Sequence, residues 1–204
     1  MFKRMSILVR RPSDDRAQFA KGWERHGEFV SHLPFIRSYI QNHVVEEFLP
    51  NGVSPAVRAD GLVELRFDTP DDMARAFSSE AAVPVKADEP NFLGHGTGYA
   101  VVEASPIRTA ENGSKLILAV TSRAHADAAE KASRSQRGLI DIFRDDVASV
   151  IARPEMKDGP QSVDTFLHLF FDSVAAARRS GAALQKQLGP SVVAVYRVRT
   201  MTFI

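Results

Sequence analysis

From Lys3 to Arg11 apolar and polar side chains alternate: Met5, Ile7 and Val9 against Arg4, Ser6 and Arg10, interrupted by Leu8. A period of two predicts a strand. The break RPSDD follows, where Ser13 or Asp14 can cap a helix. From Arg16 to about Leu33 the period lengthens: Phe19, Trp23, Val30 and Leu33 recur at roughly helical spacing, with His26 three residues after Trp23. Pro34 ends that helix. IRSYIQNHVVEEF is β-branched and aromatic and predicts a second strand. LPNGVSP reads as a loop, and DGLVELRF as a third strand. DTPDDMARAF opens a helix, with Asp68 or Thr69 as cap and Pro70 in the first turn. Gly-rich GHGTG (Gly94 to Gly98) reads as a turn with His95 at its tip, and GYAVVEA as a fourth strand.

After the polar linker SPIRTAENG the layout returns. SKLILAVTS predicts a strand, HADAAEKASRSQRGLIDIF a helix, VASVIARP a strand and EMKDGPQS a loop. VDTFLHLFFD, SVAAARRSGAALQKQL and SVVAVYRVRTMTF read as strand, helix and closing strand. DGLVELRFDTPDDMARA against VDTFLHLFFDSVAAARR is the clearest internal match, with Asp68 and Asp172 at equivalent strand-to-helix junctions. Each half is therefore β-α-β-β-α-β, the ferredoxin-like unit. One face of such a sheet is covered by its helices. The other also carries apolar side chains here and must be buried. The expected fold is α+β: two ferredoxin-like repeats, 1–105 and 114–204, packing face to face into an intramolecular α+β barrel.

Bulk properties narrow the function classes. The chain has 204 residues, 44% hydrophobic, 25% charged, with a formal net charge of +1. It can bury a real core, and it lacks the basic stripe of a nucleic-acid binder. It has no cysteine, which removes disulfides, thiolate metal sites and cysteine nucleophiles and fits the cytoplasm. No apolar run approaches a membrane span, and the basic N-terminus lacks the cleavage site of a signal peptide.

Strand alternation sorts the candidate chemistry into faces. Val63, Leu65 and Phe67 should face helices, and Leu62, Glu64 and Arg66 the barrel interior. In the second half Phe166, His168 and Phe170 form the corresponding inward set, so Glu64 and His168 should both point inward. Tyr39, Gln41 and His43 share one face of the second strand. Burying several polar groups unpaired costs about 1–3 kcal/mol each, so an interior cavity with polar handles is the expected place for them. His26, His32 and His43 lack the spacing of a helical metal site, no Walker phosphate loop accompanies GHGTG, and no G-x-S-x-G elbow is present.

KGWERHGEFVSHLPFIRSYIQNHV carries a more specific pattern. Its Trp23-x-x-His26, Leu33-Pro34 and Arg37-x-Tyr39-x-Gln41-Asn42, with Asp60 to Asp68 and the Ala87-Asp88-Glu89-x-x-Phe92 segment, resemble the EthD family of the dimeric α+β barrel superfamily over residues 1–105. The second half matches in layout alone. The resemblance implies a pocket in which His26 and Tyr39 act in proton transfer, as in cofactor-free lactone isomerases, cyclases and decarboxylases.

The expected activity is accordingly that of an enzyme without cofactor or metal, acting on a small aromatic, lactone or polyketide-like compound. His26 would move the proton and Tyr39 steady the developing oxyanion. Trp23, Gln41, His43, Glu64, Asp88, Phe92 and His168 are further candidates to touch substrate. The alternatives are a non-catalytic or stress-related small-molecule carrier, and a scaffold whose interior is filled. The expected partner is a small hydrophobic or aromatic molecule, with no nucleic acid or membrane. The barrel would be monomeric or paired as a homodimer.

Overall fold

The computed structural model describes residues 1–50, 53–102, 105–151 and 160–204. The first half runs β1 (Phe2–Arg10), α1 (Arg16–Ser31), β2 (Ser38–Glu47), β3 (Gly61–Phe67), α2 (Pro70–Ser78), α3 (Ala82–Asp88), a 3-10 turn (Glu89–Asn91) and β4 (Leu93–Val101). The second runs β5 (Lys115–Val120), α4 (Arg123–Arg134), β6 (Leu139–Ile151), β7 (Thr165–Phe171), α5 (Val174–Leu188) and β8 (Val193–Thr202). The strands close into one antiparallel barrel in the order β1-β3-β2-β8-β5-β7-β6-β4. The first half contributes β4-β1-β3-β2 as neighbours and the second β8-β5-β7-β6. The seams are β2 on β8 and β4 on β6. No helix among the described residues is long and apolar enough to cross a membrane.

Both faces of the sheet are covered, which is why β3 and β7 are buried at every position. Val63, Leu65 and Phe67 face outward into a cluster with Phe19, Trp23 and Val30 of α1 and Val85 of α3. Leu62 faces the interior with Met5, Ile7, Tyr99, Phe166, Tyr196 and Val198. A third cluster packs α4 and α5 on the outer face of β5, β7 and β8.

The barrel interior carries a cluster of apolar side chains and buried charges. Alongside the apolar cluster it holds a network of ions in which Lys3 Nζ lies 2.6 Å from Asp145 and 2.8 Å from Glu64. Lys115 Nζ lies 2.8 Å from Glu64 and 3.0 Å from Asn42. His168 donates through Nε2 to Asp145 at 2.9 Å and lies 3.7 Å from Glu64. The network joins the halves, since Lys3 and Glu64 belong to one and Lys115, Asp145 and His168 to the other. Burial opposes ionisation of Glu64, yet Lys115, Lys3 and His168 outweigh it and hold this carboxyl well below the usual range. Asp145 is likewise held low, by His168 and Lys3 against its burial. Two buried cations facing two buried anions keep the charge balanced, the condition under which buried ions are tolerated.

Several local expectations are corrected. Asp15, not Ser13 or Asp14, caps α1; its side chain accepts from the Gln18 amide while Gln18 returns a bond to the Asp15 amide. Thr69, one of the two residues expected there, is the cap of α2. GHGTG is part of β4, and His95 is buried, 3.2 Å from Thr97 Oγ1. The helix expected through Phe143 ends at Arg134, because Gly138 turns the chain at φ 86° and Leu139 onward pairs with β7. The helix α3 is an element that the sequence reading did not include. LPNGVSP, GYAVVEA, VASVIARP and EMKDGPQS each fall partly outside the described residues.

Candidate functional site

A cavity of about 210 Å³ lies outside the barrel, between α1, α3 and the outer face of β1, β2 and β3. Its floor is Leu8, Val63 and Leu65, and α1 contributes Trp23, His26 and Val30. Tyr39 and Phe92 complete the inner wall. Exposed Lys86 and the partly exposed Arg4, Phe77, Glu89 and Ile151 mark its mouth. Two glycines make room for its walls. A Cβ on Gly61 would stand 2.3 Å from the Trp23 ring, and one on Gly27 would stand 2.2 Å from Phe203, which stacks on Tyr39 at 5.1 Å.

His26 is one side of the cavity's chemistry. It is 5% exposed, packs on Phe92 at 4.9 Å, and sets Nδ1 3.2 Å from Asp88 Oδ2. Asp88 Oδ1 accepts from Arg25 at 2.5 Å and from Asn91 at 3.0 Å. Burial pushes the Asp88 carboxyl up, but hydrogen bonds from Asn91, Arg25 and His26 carry it below its ordinary value. An ionised carboxylate only accepts, so the proton of this contact sits on Nδ1.

Tyr39 is the other side. Its hydroxyl accepts from Gln41 Nε2 at 2.7 Å. Burial raises its pKa, against the Gln41 and Trp23 side chains, which pull it down. A phenol held protonated serves as a donor, not as a base. Gln41 also donates to the Trp23 carbonyl at 2.6 Å, and His43 lies 2.8 Å from Gln41 Oε1 and 4.5 Å from the Trp23 ring. Burial lowers the His43 pKa to about 4, aided by Arg199 and opposed by Glu24.

The structure thus brings His26, Tyr39, Trp23 and Phe92 to one cavity, with Asp88 behind His26 and Gln41 and His43 behind Tyr39. The expectation that Tyr39, Gln41 and His43 face the barrel interior is corrected. They face α1, because the Trp23 carbonyl and ring give Gln41 and His43 partners there. Ile40, Asn42 and Val44 take the inward face. Glu64 and His168 do meet, but inside the ion network and not at this cavity. The reading from sequence missed Arg4, Ser6 and Leu8, which the alternation of β1 places opposite Met5 and Ile7. It also missed Arg25 and Asn91, which no periodicity marks. Among the described residues no three His, Asp or Glu side chains converge as a metal site.

Residues 11–96 match the EthD domain. Among solved structures, an anthrone oxidase-like protein shares the fold at TM-score 0.57 and 11% identity, over 98% of this chain and 92% of that one. A candidate monooxygenase from Lactobacillus acidophilus NCFM does so at 0.51 and 10%, over 98% and 94%. One from Fusobacterium nucleatum does so at 0.53 and 6%, over 98% and 93%. At these identities the likeness concerns the fold alone. Comparison with curated protein sequences gives no match.

Proposed function

We propose that this chain, with its EthD domain at residues 11–96, is an enzyme that moves a proton on a small aromatic, lactone or polyketide-like molecule. The observation that carries the reading is the meeting of His26 and Tyr39 at one largely apolar cavity, each backed by its own hydrogen-bonded partner. His26 Nε2 takes a proton from the substrate, and the imidazolium so formed is stabilised by Asp88. The Tyr39 hydroxyl donates to the oxygen on which negative charge collects. The apolar floor keeps water from competing for that charge. Isomerisation, cyclisation and decarboxylation share such an enolate-like intermediate and draw on these side chains alone.

Size narrows the substrate. Ligand sites usually span about 300–1,000 Å³, whereas a dry cavity of about 150 Å³ accepts benzene. At about 210 Å³ the cavity suits a single substituted ring. We also read the halves, 1–105 and 114–204, as tandem ferredoxin-like units, because their strands follow the same relative order around the barrel. On that reading the second half is the wall that closes the first, and a single chain suffices.

The test is a screen of single-ring lactones, phenols and enolisable ketones, repeated with His26→Ala. Loss of a general base should lower kcat by about 10²–10⁴-fold with binding retained. Unchanged turnover in His26→Ala would overturn the reading. Binding without turnover in the native chain would make this a carrier.

A further inference from the structure

The Gln41 amide, fully buried, sits among three partners, and one of them decides which way it faces. Nε2 lies 2.6 Å from the Trp23 carbonyl and 2.7 Å from Tyr39 Oη, and Oε1 lies 2.8 Å from His43 Nε2. A carbonyl oxygen only accepts, so the amide end facing it must be the NH₂. Reversing the amide would press two acceptor oxygens together. The second amide hydrogen is therefore given to Tyr39 Oη. Oε1 is left to accept, so His43 must carry its proton on Nε2. That leaves Nδ1 as a bare lone pair, and Nδ1 is a buried atom without a hydrogen-bond partner. Each assignment follows from the one before, starting at a main-chain carbonyl of α1.

The consequence falls on Tyr39. Its oxygen accepts from Gln41, with the Trp23 side chain as a second donor beside it, and among the described residues no acceptor takes its O–H. Tyr39 lines the cavity, so the hydroxyl has the cavity to donate into. We propose that Gln41 and His43 are positioning residues for Tyr39: they fix the hydroxyl as a donor into the cavity, so the site selects a ring bearing an acceptor oxygen, a phenolate or enolate. The proposal rests on the proton-transfer reading of the same cavity. It adds the selected ionic form of the ligand and the residues that select it.

The probes are 4-nitrophenol, whose absorbance reports ionisation, and toluene, a ring of similar size without oxygen. The native chain should bind both and prefer the nitrophenolate. In Gln41→Glu the side chain has at most one proton, which the Trp23 carbonyl takes, so Tyr39 loses the amide donor and keeps only the Trp23 side chain beside its oxygen. Nitrophenolate affinity should fall about tenfold or more, the scale of one hydrogen bond to a charged acceptor, with toluene binding unchanged. A new carboxylate could also repel the anion, so the decisive step is the Tyr39→Phe background. There Gln41→Glu should have no further effect if it acts through the hydroxyl, and an undiminished effect would overturn the proposal. A Tyr39-dependent preference that Gln41→Glu leaves intact would also overturn it, while sparing the functional reading. Native protein that binds neither probe would overturn both. Should Gln41→Glu fail to fold, nitrogen NMR of the native chain decides: His43 protonated at Nε2 is expected, and a proton on Nδ1 refutes the chain of donors.

Discussion

His26 Nδ1 and Asp88 Oδ2 stand 3.2 Å apart, one on α1 and the other at the end of α3. The pair ties a helix of sixteen residues to one of seven at the cavity wall. Asp88→Asn keeps the shape but can present its NH₂ to the ring, which favours the wrong tautomer. Turnover should drop by about a hundredfold or more, as when a carboxylate that orients a catalytic histidine is lost. KM should change little. Steady-state kinetics on any substrate found in the screen checks this, and an unchanged kcat would make the pair architectural.

Tyr39→Phe should remove a donor without disturbing the wall, since the ring still stacks on Phe203 at 5.1 Å. A single oxyanion donor accounts for about 10²–10³ in kcat. The stability cost should stay near 1 kcal/mol, for the Gln41 hydrogen left without its acceptor. Parallel kinetics and urea unfolding separate the two effects.

Glu64→Gln tests the ion network. The substitution leaves Lys3 and Lys115 facing each other with too little negative charge. Breaking a buried pair in this way costs about 3–5 kcal/mol. Urea unfolding should show that loss. Toluene binding in the folded variant should be unchanged, because Glu64 faces the opposite side of β3 from the cavity.

Acid should weaken the fold in two stages. Unfolded His43 takes a proton near 6.5, but folded His43 only near 4. Between those values the unfolded chain binds more protons, so stability falls as pH falls through the window, by roughly 3 kcal/mol at 1.36 kcal/mol per unit. Buried His168, also pushed down by burial, adds to the same trend. Glu64 and Asp145 are depressed in the fold, so their contribution is present above their ordinary values of 4.5 and 3.8 and is lost as pH drops below them. Urea midpoints measured from neutral pH to pH 4 should show the first stage, and His43→Phe should flatten it. An equally steep profile in that variant would show that His43 is not the group responsible.

The strands were largely legible because most of them, β3 and β7 above all, bury both faces, and a period of two sorts side chains correctly even when it does not say which set goes where. Tyr39, Gln41 and His43 were rightly kept together and wrongly turned inward. What decided their side was the Trp23 carbonyl, a main-chain atom that no residue type announces. The ion network of the interior was hidden for a related reason. Lys3 and Asp145 answer each other across the two halves, and neither strand alone reveals its partner. Helix α3 escaped notice because AVPVKAD is short and carries Pro84 inside it. The candidate site was marked by a family pattern more than by physics. Trp23, His26 and Tyr39 have no periodic signature that separates a cavity wall from a packed core.

Lys3 and Arg4 are sequence neighbours on opposite sides of β1, one inside the barrel among Asp145 and Glu64, the other at the cavity mouth. Sliding β1 by one residue against β3 would exchange them, and it would also evict Met5 and Ile7 from the interior in favour of Arg4 and Ser6. The ammonium at position 3 therefore works as a key for assembly: the alignment of the first strand that satisfies the buried anions is also the one that leaves a wall for the cavity.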